Sequence, residues 1–490
     1  MARVPKLRSA AARASFGAAL AALLASAALA GPAQVHWYSM VTATGAQVGY
    51  ARVEYRDTGR GKERIEYQET TLREQDARPT RVTQRTVLTQ DAAGRILSLT
   101  SETNVGPSRT WMEARPGPGG IEVVRQTPGG LTAMTVPVGS DIQFDGGEAL
   151  LAAWDPAAAP RLEFEAFNLE SMAVERVVVT PLPAGPGDTA GRVTLLRASY
   201  EGRELRGVTR MTLDADRRVL AVTQPMFGTS ITVLPTDEAT ATQPRAPFRL
   251  MTSAMMKSPF RIPASATQGH IRYRFGFRDA MWFDLPQTGE QRVTRSGDAA
   301  VVDICDGCGP GLPSDPASLE AARRPTPWLQ SDDPRIRAIV APIAALKVSD
   351  ARKMEMLTEK ARSWLGDIDF AGHFSASEIL DRRRGDCTEA AVLLAAFGRA
   401  AGIPTRTASG YVYSRERYHG VSNVFMPHSW TLAYVDGEWR SYDSALAEFD
   451  TTHIAVTIGD GDLRSMAASG QLASLLTWEA MTEVRRRPEP

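Results

Sequence analysis

The chain has 490 residues, 43% of them hydrophobic, and its 56 Lys and Arg balance 56 Asp and Glu for a formal net charge of zero. That length and mix fit about two to four globular domains and exclude a largely disordered chain or a membrane bundle. With no basic excess and no acidic run, nothing in the charge pattern points to nucleic acid.

The N-terminus comes first. Lys6, Arg8 and Arg13 precede an apolar run from Gly17 to Leu29 that closes on Ala28-Leu29-Ala30. A basic start, a short apolar core and small residues at −3 and −1 describe a cleaved signal peptide over residues 1–30. The run falls short of the about 20 residues that span a bilayer core, so no stable membrane span is expected. The mature protein is expected in the periplasm or secreted, where disulfides persist.

Residues 31–245 read as an antiparallel β domain. Gln47–Tyr55, Arg81–Leu88, Ile121–Val124 and Arg192–Leu196 alternate apolar and polar residues, the period of a half-buried strand. Asp91-Ala92-Ala93-Gly94 and Asp214-Ala215-Asp216 supply turns between strands. Residues 246–311 form a smaller β segment that holds Cys305-Asp306-Gly307-Cys308. Residues 312–327, rich in Pro, Ala and Ser, are expected to be a linker. From 328 to 490 the texture turns helical. Pro334–Leu346 and Ala351–Trp364 are helix candidates, the second capped by Asp350, and Ser375-Ala376-Ser377-Glu378 fits a capping box.

Chemistry concentrates in this last region. Asp386 and Glu389 bracket Cys387 in a second capping box, so Cys387 falls in the first turn of a buried helix that Gly402 and Pro404 end. Unpaired amides and the positive end of the helix dipole favour thiolate there and can hold an oxyanion. Pro427-His428-Ser429-Trp430 opens a strand that Asp436-Gly437 turns into a hairpin. A two-residue type I′ loop pairs Val435 with Glu438 and Tyr434 with Trp439. His428 and Asp443 then become diagonal neighbours on one sheet face. A thiol, an imidazole to take its proton and a carboxylate to orient the imidazole are the parts of nucleophilic acyl transfer.

Gly385-Asp386-Cys387-Thr388-Glu389, Gly402-Ile403-Pro404-Thr405-Arg406 with Gly410-Tyr411, His428-Ser429-Trp430, and Trp439 with Asp443 closely resemble the bacterial transglutaminase-like domain over about 328–460. The resemblance implies an α+β, papain-like fold with Cys387 as nucleophile, His428 as base and Asp443 as orienting carboxylate. Its implied partner is a protein or peptide substrate, including cell-envelope material. Ala390 and Ser444-Ala445 depart from residues common at those places in the family and alter the pocket wall without removing a catalytic group. The family spans transamidases, peptidases, amidases and inactive members, so a binding scaffold that works through the β domain is the alternative reading.

The other candidates are plainer. Cys305 and Cys308 read as a disulfide pair, which leaves Cys387 as the free thiol of an odd count. One cysteine pair makes no zinc site, and no phosphate, dinucleotide or calcium motif implies a cofactor or metal. His419 reads as a loop residue beside the site and His453 as the start of a strand over Ile454–Ile458. Neither is assigned a role.

Overall fold

Period-two alternation continues strand after strand through the first half of the chain, and each strand folds back on the one before it. The computed structural model describes residues 34–484 apart from 74–78, 107, 128–129, 140, 145, 184–191, 227–228, 279–280, 367–372, 416–420 and 447. The expected signal segment 1–30 and His419 lie outside the described residues. The chain divides into two compact units after Leu250.

In the first unit, fourteen antiparallel strands among the described residues form one sheet. The order runs from Gly130–Val136 back through each preceding strand to Gln34–Thr42. It then crosses to Thr229–Thr236 and continues down to Leu162–Asn168. The expected strands are present, as Gln47–Asp57, Thr80–Asp91, Gly120–Thr127 and Val193–Glu201. Register puts Ala51 beside Gln68, Gln68 beside Gln84 and Gln84 beside Thr103 on one face. That face curls inward. Gln84 Nε2 donates to Glu170 Oε1 at 3.2 Å, although Glu170 lies just beyond the far edge strand. Arg64 meets Glu148 at 2.8 Å. Burial pushes the Glu170 carboxyl up to about 8, because a charge in a dry interior loses its hydration.

The second unit is α+β. One sheet orders Met256–Lys257, Val424–Val435, Thr405–Ser414 and Ile454–Gly459, with Glu438–Tyr442 hairpinned onto Val424–Val435. A second sheet orders Gln291–Ser296, Ala299–Cys305, His270–Phe277 and Leu476–Glu483, so the small β segment pairs with the last of the described strands. Residues 312–327, expected to be a linker, contain the helix Pro316–Ala321, whose cap Asp315 accepts from the amides of Ala317 and Ser318. Ala322 just after it is buried.

The helix Cys387–Ala400 is the axis of this unit. It is buried from Cys387 through Arg399, as an all-round apolar sequence requires. Leu393 and Phe397 are fully buried and share a core with Ile336 and Leu357 of the helices Pro334–Ala344 and Asp350–Trp364. Each such side chain contributes about 1.5–3 kcal/mol by leaving water. The cap of Asp350–Trp364 is Ser349, whose side chain accepts from the Arg352 amide, one residue before the expected Asp350. Both expected capping boxes form, Ser375 with Glu378 and Asp386 with Glu389.

Candidate active site

The capping box fixes the nucleophile's place. Asp386 accepts the Thr388 amide at 2.7 Å, and Glu389 accepts the Asp386 amide at 2.9 Å. These bonds start the helix at Cys387 and hold the thiol in its first turn. Two hydroxyls then pin this turn to the neighbouring chain. Thr431 Oγ1 donates to the Ala391 carbonyl at 2.9 Å and Ser444 Oγ to the Ala390 carbonyl at 3.0 Å. Thr431 lies three residues after His428, and Ser444 directly follows Asp443.

The hairpin has the expected register, Val435 against Glu438 and Tyr434 against Trp439. Asp436 and Gly437 take φ of 52° and 92°, the two positive angles a type I′ turn needs. His428 sits opposite Gly410 on the adjacent strand. A Cβ on Gly410 would come within 1.9 Å of the Ile454 carbonyl, so only glycine lets three backbones converge here.

His428 Nε2 is bonded to Asp443 Oδ2 at 2.7 Å. Its other ring nitrogen, Nδ1, is buried and makes no hydrogen bond. The Ser429 amide donates toward the Cys387 sulfur. Of the expected residues, His428 and Asp443 are thus joined directly, and Cys387 meets the strand of His428 through the Ser429 amide. The structure adds a fourth residue: His453 Nε2 meets the same Asp443 oxygen at 3.1 Å, and His453 Nδ1 lies 3.1 Å from Asp450 Oδ1. Cys387, His428, Asp443 and His453 are each 2% exposed. His428, Asp443 and His453 offer donor atoms within 4.8 Å of one another. Cys305 and Cys308 are joined in a disulfide and Cys387 is free.

The electrostatics differ from the sequence expectation at the thiol. Burial pushes the Cys387 thiol well above its ordinary range, the Asp386 carboxyl pushes the same way, and the Ser429 amide opposes them. Dry surroundings outweigh the helix terminus, so the resting thiol keeps its proton. Burial also raises the carboxyls of Asp386 and Glu389. Asp443 goes the other way. Burial alone would raise it, but the adjacent His428 and the bonds from His428 and His453 hold it well below the usual carboxylate range. The amides of Ala445 and Leu446 occupy its second oxygen at 2.7 and 2.9 Å. For His453, burial alone would favour the neutral ring. Bonds to Asp443 and Asp450 outweigh it and raise the imidazole to about 9, while the Asp450 amide donates to Nδ1 at 3.2 Å.

A stability test follows from that sign. A histidine whose folded value exceeds its unfolded one, about 6.5, stabilises fully below that unfolded value and loses the contribution as pH rises through about 9. Urea unfolding of the wild type and His453→Gln should show a larger cost of the substitution at pH 6 than at pH 9.5. Equal costs at both would contradict a charged His453.

Two more residues support the site from far along the chain. Glu290 accepts the Ser441 amide and hydroxyl, both at 2.8 Å. Gln291 exchanges bonds with the Ala455 backbone at 2.9 and 3.0 Å. One segment thus braces the strand ends just before Asp443 and just after His453. The disulfide loop backs that segment, since the amide of Cys305 donates to the Glu290 carbonyl at 3.1 Å. No motif marks Glu290 or Gln291 in the sequence. His453 carried one visible signal, the Asp450-Thr451-Thr452-His453 turn, which Asp450 closes by accepting the Thr452 amide at 2.9 Å.

Residues 344–444 match the family model of the transglutaminase-like superfamily. This stretch is a transglutaminase-like domain. It contains Cys387, His428 and Asp443, while His453 falls after the matched residues. No curated protein matches the chain. Among solved structures, a candidate cysteine protease from Cytophaga hutchinsonii is 14% identical, with 45% of this chain and 84% of that one covered and a TM-score of 0.27. A β-barrel-like domain of unknown function from Brucella abortus is 12% identical, with 43% and 98% covered and a TM-score of 0.33. A candidate protease from Parabacteroides distasonis is 11% identical, with 71% and 64% covered and a TM-score of 0.19. Among the described residues, no helix is long and apolar enough to cross a membrane.

Proposed function

We propose that this protein is an exported thiol enzyme that attacks amide or peptide carbonyls with Cys387 and passes the acyl group to an amine or to water. The observation that carries the reading is the two-sided state of His428. Its Nε2 is held by Asp443, while its buried Nδ1 makes no hydrogen bond. That nitrogen is available to take the thiol proton, and the bond to Asp443 fixes the tautomer that leaves it bare.

The steps follow from these positions. His428 Nδ1 removes the Cys387 proton as sulfur attacks the carbonyl carbon. The Cys387 amide at the helix N-terminus is the proposed oxyanion donor, because the cap already takes the Thr388 amide. The tetrahedral adduct collapses, its C–N bond breaks, and His428 returns the proton to the departing amine. A thioester remains. A second amine, or water, gives its proton to His428 as it attacks the thioester carbonyl, and His428 passes that proton to the departing Cys387 sulfur. The buried, protonated thiol suits this general-base route better than a standing thiolate–imidazolium pair.

Burial of the thiol also favours a second reading, a binding scaffold whose Cys387 is never reached. Intact-mass analysis separates the two. Mature protein treated with an activated acyl ester should gain one acyl group on Cys387, and hydroxylamine should remove it as a thioester. Protein that stays unmodified, or is acylated only on lysines, would support the scaffold. The same spectra test export: the basic and apolar series of residues 1–30 implies a mature form starting near Gly31, and an exported form starting at Met1 would contradict it.

A further inference from the structure

The site holds one more imidazole than the proposed chemistry uses. His428 Nε2 lies 2.7 Å and His453 Nε2 3.1 Å from one atom, Asp443 Oδ2. These three donor atoms all fall within 4.8 Å of one another, and all three side chains are buried. Two of them are aimed from behind. The amides of Ala445 and Leu446 hold Asp443 Oδ1 at 2.7 and 2.9 Å, which leaves Oδ2 turned to the rings. Asp450 backs the far edge of His453: its carbonyl oxygen and Oδ1 each lie 3.1 Å from Nδ1, and its amide donates to that nitrogen at 3.2 Å. A carboxylate or carbonyl behind the ring is how proteins orient a metal-binding histidine.

We propose that Asp443 Oδ2, His428 Nε2 and His453 Nε2 form a site for a divalent transition-metal ion such as zinc, and that the bound ion silences the thiol chemistry. Two imidazoles and one carboxylate suit zinc and its neighbours in the transition series, whereas calcium and magnesium take oxygen ligands. Three protein ligands leave a fourth position open. Metal bonds of about 2.0–2.2 Å in a tetrahedral shell set donors about 3.3 Å apart, so the two contacts to Asp443 need widen by only about half an ångström or less. The carboxylates of Asp443 and Asp450 together match the charge of a dication in an interior where unbalanced charge is costly. Trp430 and Phe449 shield His453, with ring centres 5.2 and 4.7 Å away.

The consequence for catalysis is a change of tautomer. With an ion on Nε2, each neutral ring keeps its proton on Nδ1. On His453 that proton displaces the Asp450 amide and meets the two Asp450 oxygens. On His428 it occupies the nitrogen that makes no hydrogen bond, the one that would take the Cys387 proton. The base is lost although the thiol is untouched. This silencing rests on the proposed thiol chemistry, while the ion binding stands without it.

The test reads the site directly. The full chain, stripped with chelator, is titrated with zinc against a chromophoric chelator, and X-ray absorption reads the ligand shell. One ion per chain should bind, in a shell of nitrogen and oxygen without sulfur. Asp450→Asn keeps all three ligands and should weaken binding about ten- to a hundredfold. His453→Gln should weaken it further, and Cys387→Ala should bind zinc as wild type does. In stopped-flow acylation, zinc should abolish wild-type Cys387 labelling in step with occupancy, and chelator should restore it. His453→Gln should keep its own metal-free rate at the same zinc concentration. If His453→Gln does not fold, Asp450→Asn carries the test, with binding and inhibition shifting together to higher zinc.

No stoichiometric binding, a sulfur ligand, or an affinity that neither substitution lowers would overturn the site and leave an adventitious ion only. Zinc held in the expected shell that leaves acylation unchanged would overturn the silencing. Zinc bound as described by a protein whose metal-free form gives no Cys387 adduct would sink the enzymatic reading and leave the metal site in place.

Discussion

Cys387→Ala should abolish acyl-enzyme formation, and His428→Ala should lower it by at least about a thousandfold. Cys387 is the free cysteine, so no other group at this helix terminus can form the thioester. His428 matters more here than in a site with a standing thiolate, because burial pushes the Cys387 thiol well above its ordinary range. Without a base, almost no sulfur is ionised at neutral pH. The double substitution should be no worse than Cys387→Ala alone, since residues that act as one unit lose their contribution together. Stopped-flow acylation with an activated ester measures all three variants. A His428→Ala protein within about threefold of wild type would break the pairing.

The second large effect belongs to Asp443. Asp443→Asn should reduce acylation by about ten-thousandfold with little change in shape. Four donors converge on the carboxylate: His428 and His453 on one oxygen, the amides of Ala445 and Leu446 on the other. The amides of Ala445 and Leu446 require an oxygen at that end, so the asparagine NH₂ must turn toward the two imidazoles. His428 Nε2 then has to accept, and its proton moves to Nδ1. That is the nitrogen the thiol needs bare. His453 also loses its carboxylate partner inside the protein. The stabilising part has a definite pH sign. Asp443 is held below its ordinary range, so its contribution is present above about pH 4 and fades as pH falls toward the folded value. Kinetics at pH 7 and urea unfolding at pH 3.5 and 7 check both halves. Near-normal acylation by Asp443→Asn would show that the carboxylate does not set the tautomer.

What the sequence disclosed, and what it hid, divides along local and distant interactions. The Asp436-Gly437 turn is local: its positive φ angles force the register that brings His428 near Asp443. The Cys387 helix start is local too, because Asp386 and Glu389 complete the capping box within four residues. The stretch 312–327 misled by composition. Its Pro, Ala and Ser suggested a linker, yet Pro316 stands at the first turn of a helix capped by Asp315, a position where proline is well suited.

The remaining differences arise in the tertiary structure. The capping geometry predicted a thiolate-favouring terminus, but Ala390, Ala445 and Leu365 pack around Cys387 and dry it. His453 is ten residues past Asp443, with no strand register linking the two in sequence. Only the fold places it on the Asp443 oxygen. Glu290 reaches Ser441 from 151 residues away, a separation at which no sequence period applies.

The pairing of Cys387 with His428 is the central claim, and the pH dependence of acylation tests it most directly. Rates for wild type and His428→Ala are measured from pH 5 to 10 with one activated ester, with modification confirmed at Cys387 by mass. Wild type should react at neutral pH, far below the range where its buried thiol ionises unaided. His428→Ala should lose that neutral-pH rate and recover only as alkali strips the thiol. Superimposable profiles for the two proteins would contradict the account.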